Sequence, residues 1–462
     1  MNRLPRIPSR PVRTAALAAA ALLVAAAVTA RPLAAQDTTR VRVADDTITL
    51  QDAIRIALSQ NSTVRFARNG VALDSLSVRA ARNAFLPNLS ASTSTSRGFG
   101  SGSQQQSSTA VSGGLSSGVT LYDGRQNVNT LRQAQLNARA GGQDLERARQ
   151  TVVFNVATDY LALITQQEQL RVQQENLTAQ EQELAQLEAF TRQGTRPIGD
   201  LYQQQAAVAQ TRLALVNARR ATELAKVDLI QELVLDPRRT YVFATPATLL
   251  SNGGAAPTFH LDSLVTVALA QRSDLQAQQL RVQAAEREVA IARGGRLPVV
   301  SASAGYSSAY NSAADGGFFT QLDQRRGGSI GVGVSVPILD RGAVSIATQR
   351  ARIALENELL TLRDQGQIVA LEVRRAYVDL LAAGEQLAAA NAQQTAAALA
   401  LRAAQERYRV GLGTFVEVTL ARATLVQAQS AVVSARSSLS FQQALMSYYT
   451  GVLDPAGGGL GR

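Results

Sequence analysis

The chain has 462 residues, a formal charge of +11 and 46% hydrophobic residues, with no cysteine, no tryptophan, one histidine (His260) and one lysine (Lys226). Without cysteine there are no disulfides, thiolate nucleophiles, Cys-based zinc sites or acylated N-terminal cysteine. A lone histidine argues against His-rich metal sites and a Ser-His-Asp triad, so no catalytic residue, metal ligand or cofactor is expected.

Arg3, Arg6, Arg10 and Arg13 precede an uncharged run over residues 14–30. A basic segment, an apolar segment and small residues at Ala30 and Ala35 form the pattern of a secretory signal peptide, read here as 1–35 with cleavage after Ala30 or Ala35. Its removal takes away five arginines and lowers the charge from +11 to +6. A nucleic-acid partner is therefore not expected. No later stretch reaches eighteen uncharged apolar residues, which leaves no transmembrane helix but leaves a transmembrane barrel open, because barrel strands are never that apolar.

The remaining sequence repeats itself. Residues 47–90 align with 258–301 at an offset of 211, with Leu50 on Leu261, Ala57 on Ala268, Gln60 on Gln271 and Leu86-Pro87 on Leu297-Pro298. At an offset of 217 the match resumes, with Asp123 on Asp340, Tyr160 on Tyr377, Gly194 on Gly411 and Arg219 on Arg436. The reading is a first structural repeat at 36–237, a linker rich in Pro, Gly, Ala and Ser at 238–257, a second repeat at 258–455 and a short tail at 456–462.

Each repeat opens with a lead helix, at 50–83 in the first copy, where apolar residues recur at helical spacing until Leu86-Pro87 stops the helix. His260, aligned with Thr49, is an ordinary flank of the second lead helix. A Ser/Thr/Gly-rich segment of period two follows: Leu89, Ala91 and Thr93, then Val119 and Leu121, and in the second copy Ile330, Val332, Val334 and Val336 alternating with Ser or Gly. This alternation predicts β-hairpins at 86–122 and 297–339, joined through turn-rich loops at 96–109 and 310–328. Phe85, Tyr122, Tyr306, Tyr310, Phe318 and Phe319 gather around these strands, either as interfacial aromatic girdles or as plain packing.

Helical hairpins at 125–234 and 341–453 complete the repeats. Residues 125–192 and 341–409 lack proline and would reach about 100 Å as helices. Val156, Leu163, Leu170, Leu177 and Leu184 fall seven apart, as do Leu201, Val208 and Leu215, and Val418, Leu425, Val432 and Leu439, which is the repeat of helices that supercoil. Gly141-Gly142 interrupts the first long helix in propensity, and Glu358 stands opposite Gly141 in the second copy. The lead helix and the returning helix together match the long helix in length, so they can stack end to end beside it as the wall of a helical barrel. The fold class is mainly α with a small β part, a duplicated helix, β-hairpin, long helix, helix unit. Four strands per chain are too few for a membrane barrel, whose minimum is about eight, so several chains must share one.

The hairpin tips carry the most specific residues: Gln193, Gly194, Thr195, Arg196 and Pro197, then Asp200, in the first copy, and Val410, Gly411, Leu412, Gly413 and Thr414, then Glu417, in the second. With them, nearly the whole chain after residue 35 resembles the outer-membrane efflux protein family, the TolC-like trimeric exit ducts of tripartite pumps and type I secretion systems. The resemblance implies a homotrimer with an α-helical coiled-coil barrel below a shared 12-stranded transmembrane β-barrel, set in outer-membrane lipid and extending into the periplasm. It implies a periplasmic adaptor (membrane fusion protein) and an inner-membrane transporter as partners, with the two tips as adaptor contacts and Asp200 and Glu417 as an aperture gate. Two other roles stay open: Gly194 and Gly411 as left-handed helix caps, and the two acids as residues favoured at any helix N-terminus. The chain departs from the family where Gln203 and Leu420 stand in place of second acids and Gly413 in place of an arginine that Arg196 retains. A coiled-coil surface protein or adhesin without transport activity is the alternative, and it leaves the paired β-hairpins unexplained.

Overall fold

A computed structural model describes residues 47–98, 108–244 and 260–453. The expected signal peptide, residues 99–107, most of the expected linker (245–257) and the tail at 456–462 lie outside the described residues. In chain order the elements are β1 (Thr47–Ile48), α1 (Leu50–Gln60), α2 (Ser62–Asn83), β2 (Asn88–Gly98), β3 (Ser108–Tyr122), α3 (Gln126–Arg192), α4 (Ile198–Glu232), β4 (Val242–Phe243), α5 (Leu261–Gln271), α6 (Ser273–Gly294), β5 (Val299–Asn311), α7 (Phe318–Gln324), β6 (Gly327–Ser335), α8 (Ala343–Arg409) and α9 (Phe415–Tyr449). Helices of 11, 22, 67 and 35 residues follow one another in the same order in each half.

Each lead helix is two helices, not one. The backbone leaves the helical region at Asn61 (ψ 133) and at Arg272 (ψ 122). Asn61 accepts a hydrogen bond from the Thr63 amide at 2.8 Å and so supplies the acceptor that a new helix start requires. Periodicity cannot reveal such a break, because α1 and α2 keep their apolar faces in phase across it. By contrast α3 continues unbroken through Gly141-Gly142. A Cβ at Gly141 would meet the Asp74 carboxylate of α2, which would have to swing aside.

The helices form one layer. α2 and α4 both lie against α3, one near the sheet and one toward the tips, while α6 and α9 both lie between α3 and α8. Tyr160, Leu163, Val373 and Leu380 are among its most buried residues. Toward the tip the buried seam of α3 passes through Val172, Gln180 and Leu187, whereas Leu170, Leu177 and Leu184 of the expected heptad are only half-buried. The neighbours of α3 change along its length, and the buried face turns with them. Gln180 is retained in that seam because Gln204 of α4 donates to its backbone and side-chain oxygens at 2.7 and 2.9 Å.

Two elements escape the periodic reading. Within the expected linker, β4 pairs in parallel with β1, Thr47 on Val242 and Ile48 on Phe243. Tyr160 of α3 fastens this ribbon by donating from one buried hydroxyl toward Ile48 O and Ala244 O, with Phe243 packed edge-on against its ring at 6.1 Å. Within the expected loop at 310–328 lies the helix α7. The four long strands form one antiparallel sheet in the order β2-β3-β5-β6, so the two hairpins join through β3 and β5. The chain passes from sheet to long helix at Asp123 and Asp340, whose carboxylates accept the Asn127 and Val344 amides at 2.7 and 2.9 Å.

Candidate functional site

Both tips are built by the same capping device. At the first, Gly194 is left-handed (φ +73), its amide donates to Thr191 O and the Thr195 amide donates to Phe190 O, each at 3.0 Å. At the second, Gly411 is left-handed (φ +78), its amide donates to Tyr408 O at 3.1 Å and the Leu412 amide donates to Arg407 O at 2.8 Å. These paired bonds satisfy the last carbonyls of α3 and α8 and turn the chain sharply. A Cβ at either glycine would meet open space, so the backbone angle is what requires glycine.

The returning helices start differently. Thr414 caps α9 by accepting the Glu417 amide at 3.3 Å, whereas Pro197 opens α4 without a side-chain cap. Gly413 lies where a Cβ would sit 3.1 Å from Arg407 Cβ, and Arg407 pairs with Glu417 at 3.4 Å. Glu417 is thus engaged within its own hairpin.

Asp200 instead reaches across to the other hairpin. Tyr408 Oη donates to Asp200 Oδ2 at 2.6 Å. Arg196 Nη2 donates to Tyr408 O at 2.7 Å and lies 3.3 Å from Arg409 O, and its guanidinium sits 4.1 Å above the Tyr408 ring. Burial, reinforced by the Asp200 carboxylate, pushes the Tyr408 phenol above the ordinary tyrosine range, so it stays a protonated donor. Farther from the tip, Arg422 of α9 donates to Glu183 of α3 at 2.6 Å with both side chains mostly buried. Toward the tips, five bonded side chains, Glu183, Arg196, Asp200, Tyr408 and Arg422, therefore tie the first helical hairpin to the second.

Of the residues singled out from sequence, Arg196 and Asp200 enter this cross-hairpin lock. Gly194, Thr195, Gly411 and Thr414 form the caps, Gln193 and Val410 are the C-cap residues of α3 and α8, and Pro197 begins α4. Leu412 projects outward and is 74% exposed, and Val410 is also exposed. Tyr408 was missed. Its signal was an aromatic two positions before Val410, where the first copy has Thr191.

The far end of the molecule has different chemistry. Paired strand residues share a face, so the register places Leu89, Leu115, Tyr306, Ile330, Val332 and Val334 on one side of the sheet. These residues are exposed, Ile330 to 90%. The opposite side carries only Ser, Gly, Ala, Thr and Asn over residues 88–98, 108–120, 301–311 and 327–335. Ser90 bonds Ser116 there, and Ser94 bonds Ser112, each at 2.8 Å between hydroxyls. The outer edges of β2 and β6 pair with no strand among the described residues. Nor do the described residues hold a His/Cys/Asp/Glu group able to bind a metal, or a helix long and apolar enough to cross a membrane.

Comparison with known proteins gives a consistent result. The profile of a family described as outer membrane efflux protein matches residues 53–233 and 264–451. Outer membrane efflux protein BepC of Brucella suis is 26% identical over 390 residues, spanning 84% of this chain and 82% of BepC. Outer membrane protein TolC of Vibrio cholerae is 26% identical over 383 residues, 80% of this chain and 84% of TolC. Among solved structures, CusC superposes with a TM-score of 0.77 at 18% identity, covering 87% of this chain and 92% of CusC. VceC of Vibrio cholerae superposes with a TM-score of 0.72 at 19% identity, covering 87% and 96%. These superpositions identify the fold.

Proposed function

The chain belongs to the outer membrane efflux protein family, and from that premise we propose that it is the outer-membrane exit duct of an efflux pump or type I secretion system. It is an outer-membrane channel protein whose helical part extends into the periplasm. In this reading three copies assemble, and their twelve strands close one barrel in outer-membrane lipid.

The observation that carries the reading is the four-stranded sheet. A sheet with one exposed apolar face, one face of small polar residues and two unpaired edges is stable in a bilayer only when it is closed by further strands, since unpaired backbone groups have no water to satisfy them there. The apolar face meets lipid and the Ser/Gly face lines an aqueous lumen. The helical layer continues the duct, with open flanks at α8 and at the α2 and α4 column for neighbouring copies. The equal helix lengths of the two halves support a duplicated unit. The exposed tips, Leu412 foremost, suit a periplasmic adaptor, which would pass cargo from an inner-membrane transporter.

The lock between hairpins gives the duct its gate. While Tyr408 holds Asp200 and Arg196 holds Tyr408, each chain's two hairpins stay together and the tip ring is narrow. Opening separates them, so the bonds that break are few, polar and near solvent, worth about 1–3 kcal/mol each. Mass measurement in detergent should return about three times the mature mass, and a soluble monomer extracted without detergent would sink the assembly. In planar bilayers Tyr408→Phe combined with Arg196→Ala should raise conductance several-fold at unchanged oligomer mass, and unchanged conductance would refute the lock as a gate.

A further inference from the structure

The outer end of the sheet carries a feature that a duct does not require. β5 continues to Asn311 and stays paired with β3 there, but β6 begins at Gly327, opposite Ser307. Over Ser308 to Asn311 the β6-side edge of β5 has no strand partner among the described residues. α7 occupies that place. Ser308 Oγ donates to Leu322 O at 2.6 Å, and the Gln321 carboxamide accepts the Asn311 amide at 2.9 Å. The same carboxamide nitrogen donates toward Asn311 O at 3.1 Å and toward Ala314 O and Gly316 O at 2.9 Å. Gln321 is 1% exposed. One side chain thus stands in for a missing strand, as backbone groups demand where water is scarce.

The side on which α7 lies follows from the register. Tyr306 pairs with Leu115 on the apolar face, and Ser308 and Tyr310 alternate onto that same face. α7 therefore leans over the lipid-facing wall and not over the Ser/Gly lumen. Tyr310 packs on Phe318 with ring centroids 4.9 Å apart, and Phe318 meets Phe319 edge-on at 5.3 Å. Phe319 is 73% exposed. Arg325 and Arg326 follow immediately and are exposed, with Arg326 paired to Asp323 at 3.0 Å. Aromatic rings at the end of an apolar band, adjoined by two guanidinium groups, match a boundary where acyl chains give way to anionic headgroups. Guanidinium recognises phosphate oxygens through paired hydrogen bonds.

We propose that α7 with Arg325 and Arg326 is a seat on the barrel's outer wall for a phosphate-bearing lipid of the outer leaflet, with Phe318 and Phe319 at the base of its headgroup and the arginines on its phosphates. The proposal rests on the reading of the sheet as a transmembrane wall, and its test separates the two. The chain has no tryptophan, so Phe319→Trp and Leu115→Trp each give a single fluorescent reporter in the full-length protein. The reporters are reconstituted in phosphatidylcholine vesicles with bromine at chosen acyl depths. The Phe319→Trp emission should be quenched best by shallow bromines and the Leu115→Trp emission by deep ones. In vesicles doped with phosphorylated or dephosphorylated lipid A, the protein should retain the phosphorylated form preferentially, and Arg325→Gln with Arg326→Gln should cut that retention about fivefold or more.

Aqueous, unquenched emission from Phe319→Trp beside a quenched Leu115→Trp would overturn the seat and leave the transmembrane wall standing. Equal retention of the two lipid forms, or retention unaffected by the glutamines, would overturn phosphate recognition. Displacement of lipid A by millimolar inorganic phosphate would make the site one for a free anion and overturn the lipid assignment. An unquenched Leu115→Trp would remove the wall and the seat together.

Discussion

The two junctions where a returning helix meets a lead helix have the same geometry and opposite chemistry. In the first, Asn61 breaks the lead helix and its neutral amide donates to Glu232 O at 3.2 Å and Glu232 Oε1 at 3.1 Å. In the second, Arg272 breaks it, and this 5%-exposed guanidinium bonds Asp274 at 2.6 and 3.0 Å and Glu372 at 2.5 Å. Arg147 adds a second cation, seated 3.9 Å over the Tyr448 ring and 3.8 Å from Asp274. The returning helix also ends differently: Gly451 adopts the left-handed cap (φ +73) where the first half forces Val234 into it (φ 55). The path of the chain can thus be kept while the groups that hold it are exchanged, provided every buried donor and acceptor finds a partner.

The largest expected effect comes from removing the buried cation. Arg272→Ala strips half-buried Glu372 of its cation and leaves Asp274 only the more distant Arg147, and should destabilise by about 3 kcal/mol. Asn61→Ala removes no buried charge, only the amide's bonds to Glu232 and its cap on the Thr63 amide, and should cost about 1–2 kcal/mol. Thermal midpoints of the two variants in detergent check this, and equal losses would end the contrast between the junctions.

The left-handed caps sharpen the comparison in both directions. A Cβ at Gly451 would sit 3.2 Å from the Arg272 backbone, in addition to the strain of a β-branched residue at that angle. Gly451→Val should therefore cost about 2–3 kcal/mol. Val234→Gly relieves the strain already present in the first half and should stabilise by about 1 kcal/mol. Guanidinium midpoints of the pair should move in opposite directions.

The smallest effect is one of pH. Asp159 of α3 occupies the position held by buried Ala376 in the second half. Burial first, then the charges of Glu232 and Asp228, push its carboxyl up to about 6. Because the folded protein holds this proton more tightly than the unfolded chain, the stabilisation is present below about 4 and is lost as pH rises through about 6. Melting at stepped pH should show a decline across that window in the native chain and a flatter profile in Asp159→Asn, which should melt higher at neutral pH. Parallel profiles would exclude Asp159 as the titrating group.

Local patterns were legible in the sequence because they are set by local rules. Leu86-Pro87 and Leu297-Pro298 end the lead helices, the Ser/Gly alternation at Ile330, Val332 and Val334 fixes a two-faced strand, and proline-free runs of some 68 residues give the long helices. The glycines at 194 and 411 announce tight hairpins, since the left-handed angle there suits glycine above all other residues.

Legible in the sequence, therefore, were the order and type of the main elements and the length of the two long helices, because periodicity, proline and glycine act through bonds a few residues apart. Packing settles which groups meet. The breaks at Asn61 and Arg272 lie within continuous apolar periodicity, and the partners that hold them, Glu232 and Glu372, are 171 and 100 residues away in sequence. Likewise Tyr408 meets Asp200 across 208 residues, and Gln321 finds its strand edge only because β6 starts late. Such pairings depend on how helices pack side by side, and the free energy that selects them is that of satisfying buried polar groups, which no local pattern records.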